Sequence, residues 1–149
     1  VPDRPISTPC VGVCSTVYGD LVCRGCKRYA HEVIEWNRYE PQQKREVWRR
    51  LVMLRDQAVQ EYVEIVDEAR LRRQVEARRI PRSDEDCVGS LAYALLWRAA
   101  GSMEELSACG LRARDPTLRE PGALMRAIDA ELYLRSEAHY ERNFRTLLR

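Results

Sequence analysis

The sequence predicts a mainly α-helical protein with a small four-cysteine metal-binding module at its N-terminus, packed on a helical body that contains one long helix. Three observations lead there. Cys10, Cys14, Cys23 and Cys26 are spaced C-x3-C-x8-C-x2-C. From Pro41 onward apolar residues recur mostly three and four apart, the period that keeps side chains on one face of a helix. Strand-like sequence is confined to a short stretch around Gly19-Asp20.

Val1 to Pro9 holds three prolines without periodicity and is expected to form an extended arm. Ser15-Thr16-Val17-Tyr18 and Leu21-Val22-Cys23 flank the dipeptide Gly19-Asp20, the pattern of a β-hairpin that would bring Cys14 and Cys23 to one end. Val33, Ile34 and Trp36 then mark a short helix ending near Asn37, which completes a metal module over residues 1–40. Glu40-Pro41 reads as a helix start, because proline at the first helical position forfeits an amide that has no partner there. Trp48, Leu51, Val52, Val59, Tyr62, Val63, Val66 and Ala69 continue as an amphipathic stripe toward Val75, so one long helix is expected over residues 41–80, stopped by Pro81 and Ser83.

Residues 84–149 are expected to form a C-terminal helical region. Ser83-Asp84-Glu85-Asp86 caps a helix using Val88, Leu91, Ala92, Leu95 and Leu96. Ser102 with Glu105 matches a capping box for a short helix ending at Gly110. Residues 112–121 read as a loop, and a last helix runs from about Gly122 to Leu147.

Composition bounds the function. Of 149 residues, 45% are hydrophobic and 32% charged, a balance that folds. The net charge of +2 is divided unevenly: residues 1–83 hold 16 basic and 12 acidic side chains, residues 84–149 hold 9 and 11. The basic excess peaks at Arg70, Arg72, Arg73, Arg78, Arg79 and Arg82. No apolar run approaches the roughly 18 to 20 residues of a membrane span, and Val1-Pro2-Asp3-Arg4-Pro5 has no apolar core of a signal peptide. A cytoplasmic location without membrane contact is the expectation.

Two closely spaced cysteine pairs suit a tetrahedral ion, since each pair supplies two ligands from one turn and the intervening loop folds the pairs together. Disulfides would need an oxidising compartment. Redox chemistry of the thioredoxin kind would need a βαβ setting that the chain lacks. A metal also answers a physical need, because residues 1–30 carry few large apolar side chains and gain folding free energy from the ion. Four protein ligands leave no open position, which describes a structural site. Zinc and an iron-sulfur cluster both accept four thiolates. The spacing departs from both common ferredoxin patterns and favours zinc.

Pro9-Cys10-Val11-Gly12-Val13-Cys14, Cys23-Arg24-Gly25-Cys26-Lys27-Arg28 and Glu32-Val33-Ile34-Glu35-Trp36 together resemble the bacterial family catalogued as domain of unknown function 1289, over about residues 8–55 and including Lys44-Arg45 and Trp48-Leu51. The resemblance implies a small cytoplasmic metal or iron-sulfur protein of no settled activity. It strengthens the iron-sulfur alternative, and it leaves the C-terminal two thirds of the chain unaccounted for.

Other residues carry less. His31 and His139 read as surface histidines, and Cys87 and Cys109 as small buried hydrophobes. Trp36, Trp48 and Leu51 are expected to pack the metal module against the long helix. Lys27, Arg28 and the arginines from Arg70 to Arg82 are candidate partner-binding residues for phosphates or carboxylates, although Glu68 and Glu76 equally permit a solvated helix laced with ion pairs. No nucleophile-base pairing and no glycine-rich phosphate loop is legible. The reading is a non-enzymatic metal-stabilised adaptor, with a zinc site and a surface for a protein or ribonucleoprotein. The alternatives are an iron-sulfur protein in electron transfer or redox sensing, and an RNA- or DNA-binding protein using the arginine-rich helix.

Overall fold

The computed structural model describes residues 5–12 and 14–145. The first residues of the expected arm, Val1 to Arg4, and the last turn of the expected C-terminal helix lie outside them. The described residues are mainly helical, as predicted. The helices are α1 (Ala30–Glu35), α2 (Pro41–Tyr62), α3 (Glu68–Ala77), α4 (Val88–Ala99) and α5 (Pro121–Tyr140). Two short strands, β1 (Val63–Ile65) and β2 (Leu111–Ala113), form one antiparallel ladder. No described helix is long and apolar enough to cross a membrane.

The chain divides into two compact units, one comprising Val1–Leu51 with Tyr133–Arg149 and the other Val52–Leu132. Helices α2 and α5 each contribute residues to both.

In the second unit the core is aliphatic. Val59, Val63, Leu71, Leu95, Leu96, Leu111, Leu124, Ile128 and Leu132 are essentially inaccessible, and each fully buried side chain of this size stabilises by about 1.5–3 kcal/mol. The long helix expected over residues 41–80 is interrupted here. Val63, Glu64 and Ile65 leave the helix and pair with Ala113, Arg112 and Leu111. The apolar spacing through Val59 and Val63 suits a helix, but β-branched Val63 and Ile65 are equally at home in a strand once a partner is present. The helix restarts where the Asp67 side chain accepts a hydrogen bond from the Arg70 amide.

Arg112 and Ala113, expected to begin a loop over residues 112–121, instead join Leu111 in that partner strand. The short helix expected before Gly110 is a single 3-10 turn, Leu106–Cys109, preceded by Glu105 rather than by a Ser102 capping box. Gly110 has φ 71, and a Cβ there would overlap the Asp67 carbonyl, so the turn into β2 requires glycine.

In the first unit the amino-terminal half of α2 packs Val47, Trp48 and Leu51 inward, with Trp36 also buried. Trp48 Nε1 donates to the Ser7 carbonyl at 2.9 Å, which ties down the N-terminal arm. Trp36 lies under the Arg28 guanidinium and the Lys44 ammonium, 5.2 and 5.4 Å from its ring centre. Trp36 and Trp48 thus serve packing within this unit.

Candidate metal centre

The hairpin expected over Ser15–Cys23 is displaced along the chain. Ser15–Tyr18 forms a 3-10 turn closed by Gly19 in the left-handed region, φ 98. Of the two favoured two-residue hairpin turns, type I′ needs positive φ at both central residues, which Asp20 lacks, and type II′ needs ψ of about −120° at the first, where Gly19 has ψ 0. The Ser15 hydroxyl instead accepts the Arg24 amide at 2.8 Å. The strands that do pair are Leu21–Cys23 and Arg28–Ala30, through a Val22–Tyr29 bridge and the bonds Cys23 N to Arg28 O and Ala30 N to Leu21 O.

This shift places Cys23-Arg24-Gly25-Cys26 at the tip of the hairpin. Lys27 N donates back to Cys23 O at 2.9 Å, and Lys27 itself takes the left-handed conformation, φ 66. Both thiols of the pair are buried. Burial opposes ionisation of Cys23, yet the amides of Cys26, Ser15 and Gly25, together with the Cys26 thiol, hold its pKa below the ordinary value. Gly25 is thus one of the residues whose amide faces the Cys23 sulfur. For Cys26 burial prevails and raises the pKa, although Arg28 Nε donates to its sulfur at 3.2 Å.

The other two cysteines are differently placed. Cys10 is exposed and its sulfur accepts the Gly12 amide at 3.4 Å. Cys14 is half-buried and shares a 3.1 Å hydrogen bond with the Thr16 hydroxyl. Among the described residues no three His, Cys, Asp or Glu side chains stand close enough together to hold a metal ion. The Cys23–Cys26 turn fits a tetrahedral ion by its donor set. Cys10 and Cys14 are not gathered onto it.

Two cations accompany the buried thiols. Lys27 is 1% exposed, its Nζ donating to the carbonyls of Arg24 and Gly25 at 2.5 and 3.0 Å, and Arg28 is 4% exposed. Their expected role on a partner-facing surface is thereby corrected: the turn needs a donor to fill its own carbonyls, and the Cys26 sulfur and Trp36 ring draw the guanidinium inward.

The arginine cluster is exposed and engaged locally. Arg70 reaches Asp67 at 3.7 Å and the Ser107 carbonyl at 3.1 Å, Arg72 meets Glu68 at 3.6 Å, and Arg82 meets Glu76 at 4.0 Å. Arg78 donates to Gln74 and Ser102. Arg73 and Arg79 are also exposed, and Arg79 ends the helical segment at φ 52.

A buried polar network next to the hairpin escaped the sequence reading. Tyr29 is fully buried, its amide donates to Glu32 Oε1 at 2.9 Å, and its hydroxyl shares a 2.6 Å hydrogen bond with His139 Nδ1. Arg50 lies 4.0 Å over the Tyr29 ring and grips Glu32 bidentately at 2.5 and 2.6 Å. Tyr140 and Phe144 close on the same ring edge-on, at 4.9 and 5.2 Å. Burial pushes the Tyr29 hydroxyl up to about 12.

His139 is consequently half-buried and not the surface residue expected, its pKa lowered by burial and by Arg50 and Arg142. His31 is exposed, as expected, against Phe144. Cys109 is fully buried, with its thiol pushed up by burial, and Cys87 precedes α4 half-buried. The pattern Tyr29-x-x-Glu32 at a helix start was the signal available for the network, but a tyrosine in the capping position is not the serine or threonine such a box calls for.

Residues 8–55 match the model of a family described as protein of unknown function (DUF1289). No curated protein and no solved structure matches the chain.

Proposed function

Starting from a segment that resembles that family, we propose that this chain is a non-enzymatic, metal-stabilised interaction protein of the cytoplasm, in which Cys10, Cys14, Cys23 and Cys26 hold a structural zinc ion. The observation that carries the reading is the charge balance at the Cys23–Cys26 turn. Lys27 and Arg28 bury two positive charges beside two buried sulfurs, and buried charge is tolerated where charge of the other sign accompanies it. A zinc ion with four thiolates has a formal net charge of −2, which the two cations offset. Amides of Ser15, Gly25 and Cys26 directed at the Cys23 sulfur favour the thiolate that a metal requires.

In this reading Cys10 and Cys14 close onto the turn when the ion binds, so that metal binding and ordering of the N-terminal arm are one event. Filling all four positions with protein sulfur leaves none for a substrate, consistent with a structural role. The ion would supply cross-linking of the arm to the hairpin. The helical body then presents the surface used by a protein or ribonucleoprotein partner.

The test is elemental analysis of untagged protein purified without air, combined with alkylation by iodoacetamide. One zinc per chain in a colourless protein is expected, with Cys10 and Cys14 protected until a chelator is added. Rapid alkylation of exposed Cys10 in freshly purified protein, with no bound metal, would sink the proposal. A brown protein with visible absorbance would replace zinc by an iron-sulfur cluster, the reading to which the same charge argument extends, because such a cluster is also an anionic centre on four thiolates. The arginine-rich helix supports a nucleic-acid role less, since Arg70, Arg72 and Arg82 already face carboxylates on their own segment.

A further inference from the structure

The fully buried ring of Tyr29 is covered on one side by the far end of α5. There His139 Nδ1 meets the Tyr29 hydroxyl, and the rings of Tyr140 and Phe144 close on it edge-on. A π turn over Glu141–Arg145 widens the helix at this point and stacks Phe144 on Tyr140, ring centres 5.7 Å apart. Further back the helix has its own anchors, Tyr133 under the Arg24 guanidinium at 4.6 Å and the buried Ser136. Residues 139–144 therefore form a strap over Tyr29 that can part from it without the rest of α5 moving.

The groups around His139 disfavour a second proton on its ring. The hairpin strand contributes Tyr29, α1 contributes Glu32, α2 contributes Arg50, and the strap itself contributes Tyr140 and Arg142. His31, also on α1, faces the strap through Phe144. The carboxylate of Glu32 is already gripped by Arg50 and accepts the Tyr29 amide, so it has little left to offer a second cation. With a neutral ring the Tyr29 hydroxyl donates to Nδ1. A proton on Nδ1 reverses that bond and leaves the hydroxyl proton with no other acceptor among the described residues. Lifting the strap removes both penalties, because water then solvates the imidazolium.

We propose that residues 139–144 act as an acid-released strap, in which protonation of His139 lifts Tyr140 and Phe144 off Tyr29 and uncovers that aromatic face of the first unit. In the lifted strap the imidazole meets water and titrates at the ordinary 6.5, whereas under the closed strap burial, then Arg50 and Arg142, hold its pKa lower. Closure is strongest above pH 6.5 and weakens by up to about tenfold per pH unit as the pH falls toward the lowered value. None of the four cysteines takes part, so the strap and the zinc reading stand or fall separately.

The chain has a single phenylalanine, so 4-fluorophenylalanine labels Phe144 alone, beside the rings of Tyr29, Tyr140 and His31. The fluorine resonance of the full chain is followed by NMR from about pH 8 to about pH 5, with far-UV circular dichroism and metal content recorded at each step. A reversible shift toward the resonance of the free amino acid is expected, with a midpoint below 6.5 and the helical signal retained. His139→Gln should make the resonance independent of pH. His31→Gln, which removes the other imidazole beside Phe144, should leave the transition in place. Arg142→Gln should raise the midpoint, a result that does not depend on the His139 variant folding. A resonance fixed over this range, a transition that survives in His139→Gln or vanishes in His31→Gln, an Arg142→Gln midpoint that does not rise, or a shift that coincides with loss of helix or of metal would each overturn the proposal.

Discussion

Truncating Glu32 removes the charge that keeps Arg50 inside the first unit. The two side chains are 6% and 11% exposed, and the guanidinium meets the carboxylate through two short bonds of 2.5 and 2.6 Å. The same carboxylate accepts the Tyr29 amide. In Glu32→Ala the guanidinium would remain against the Tyr29 ring with its Nε already unpartnered among the described residues. Breaking a buried pair from one side costs about 3–5 kcal/mol, because the surviving charge stays desolvated. For a chain of this size each kcal/mol lowers Tm by about 2–4 °C, so a fall of about 10 °C is expected.

The measurement is urea unfolding and thermal melting followed by circular dichroism, with metal content determined for both proteins so that a lost ion is not mistaken for a lost ion pair. The double variant Glu32→Leu/Arg50→Met replaces both charges by apolar groups and should unfold later than Glu32→Ala alone, since an apolar substitute for a buried pair is often neutral. A cost below about 1 kcal/mol for Glu32→Ala, or a double variant no more stable than the single one, would show that water reaches this pair and that the desolvation argument fails.

His139 should make stability depend on pH. Its folded-state pKa lies below the ordinary 6.5, so between that lowered value and 6.5 the unfolded chain binds more protons. Stability is then full above pH 6.5 and declines as pH falls, by at most about 1.4 kcal/mol per pH unit for one group; His139→Gln should flatten that slope in urea titrations run at successive pH values. Gly110→Ala should cost more than about 2 kcal/mol, combining left-handed strain with the overlap on the Asp67 carbonyl. Gly101→Ala, where a Cβ meets open space, should change stability by less than about 1 kcal/mol in the same thermal melts.

The helices were readable where their signals are local. The apolar period from Trp48 to Val59, the proline at Pro41 and the acidic run before Val88 each act within a few residues, and α2 and α4 lie where they point. The cysteine spacing likewise marked the Cys23–Cys26 turn, because two sulfurs in one turn need nothing distant to come together. The hairpin was misplaced for a reason of competition. Gly19-Asp20 is a respectable turn sequence, but the Ser15 hydroxyl captures the Arg24 amide, and Lys27 fills the carbonyls of the later turn.

Residues far apart in the chain account for the remainder. Val63–Ile65 is a strand because Leu111–Ala113 lies beside it, some 48 residues on, and no local period announces a pairing of that separation. The inward turn of Lys27 and Arg28, the grip of Arg50 on Glu32 and the hydrogen bond between Tyr29 and His139 obey the same logic. A charged or polar side chain looks like surface in a linear reading. It becomes interior only when folding brings it a partner strong enough to replace water.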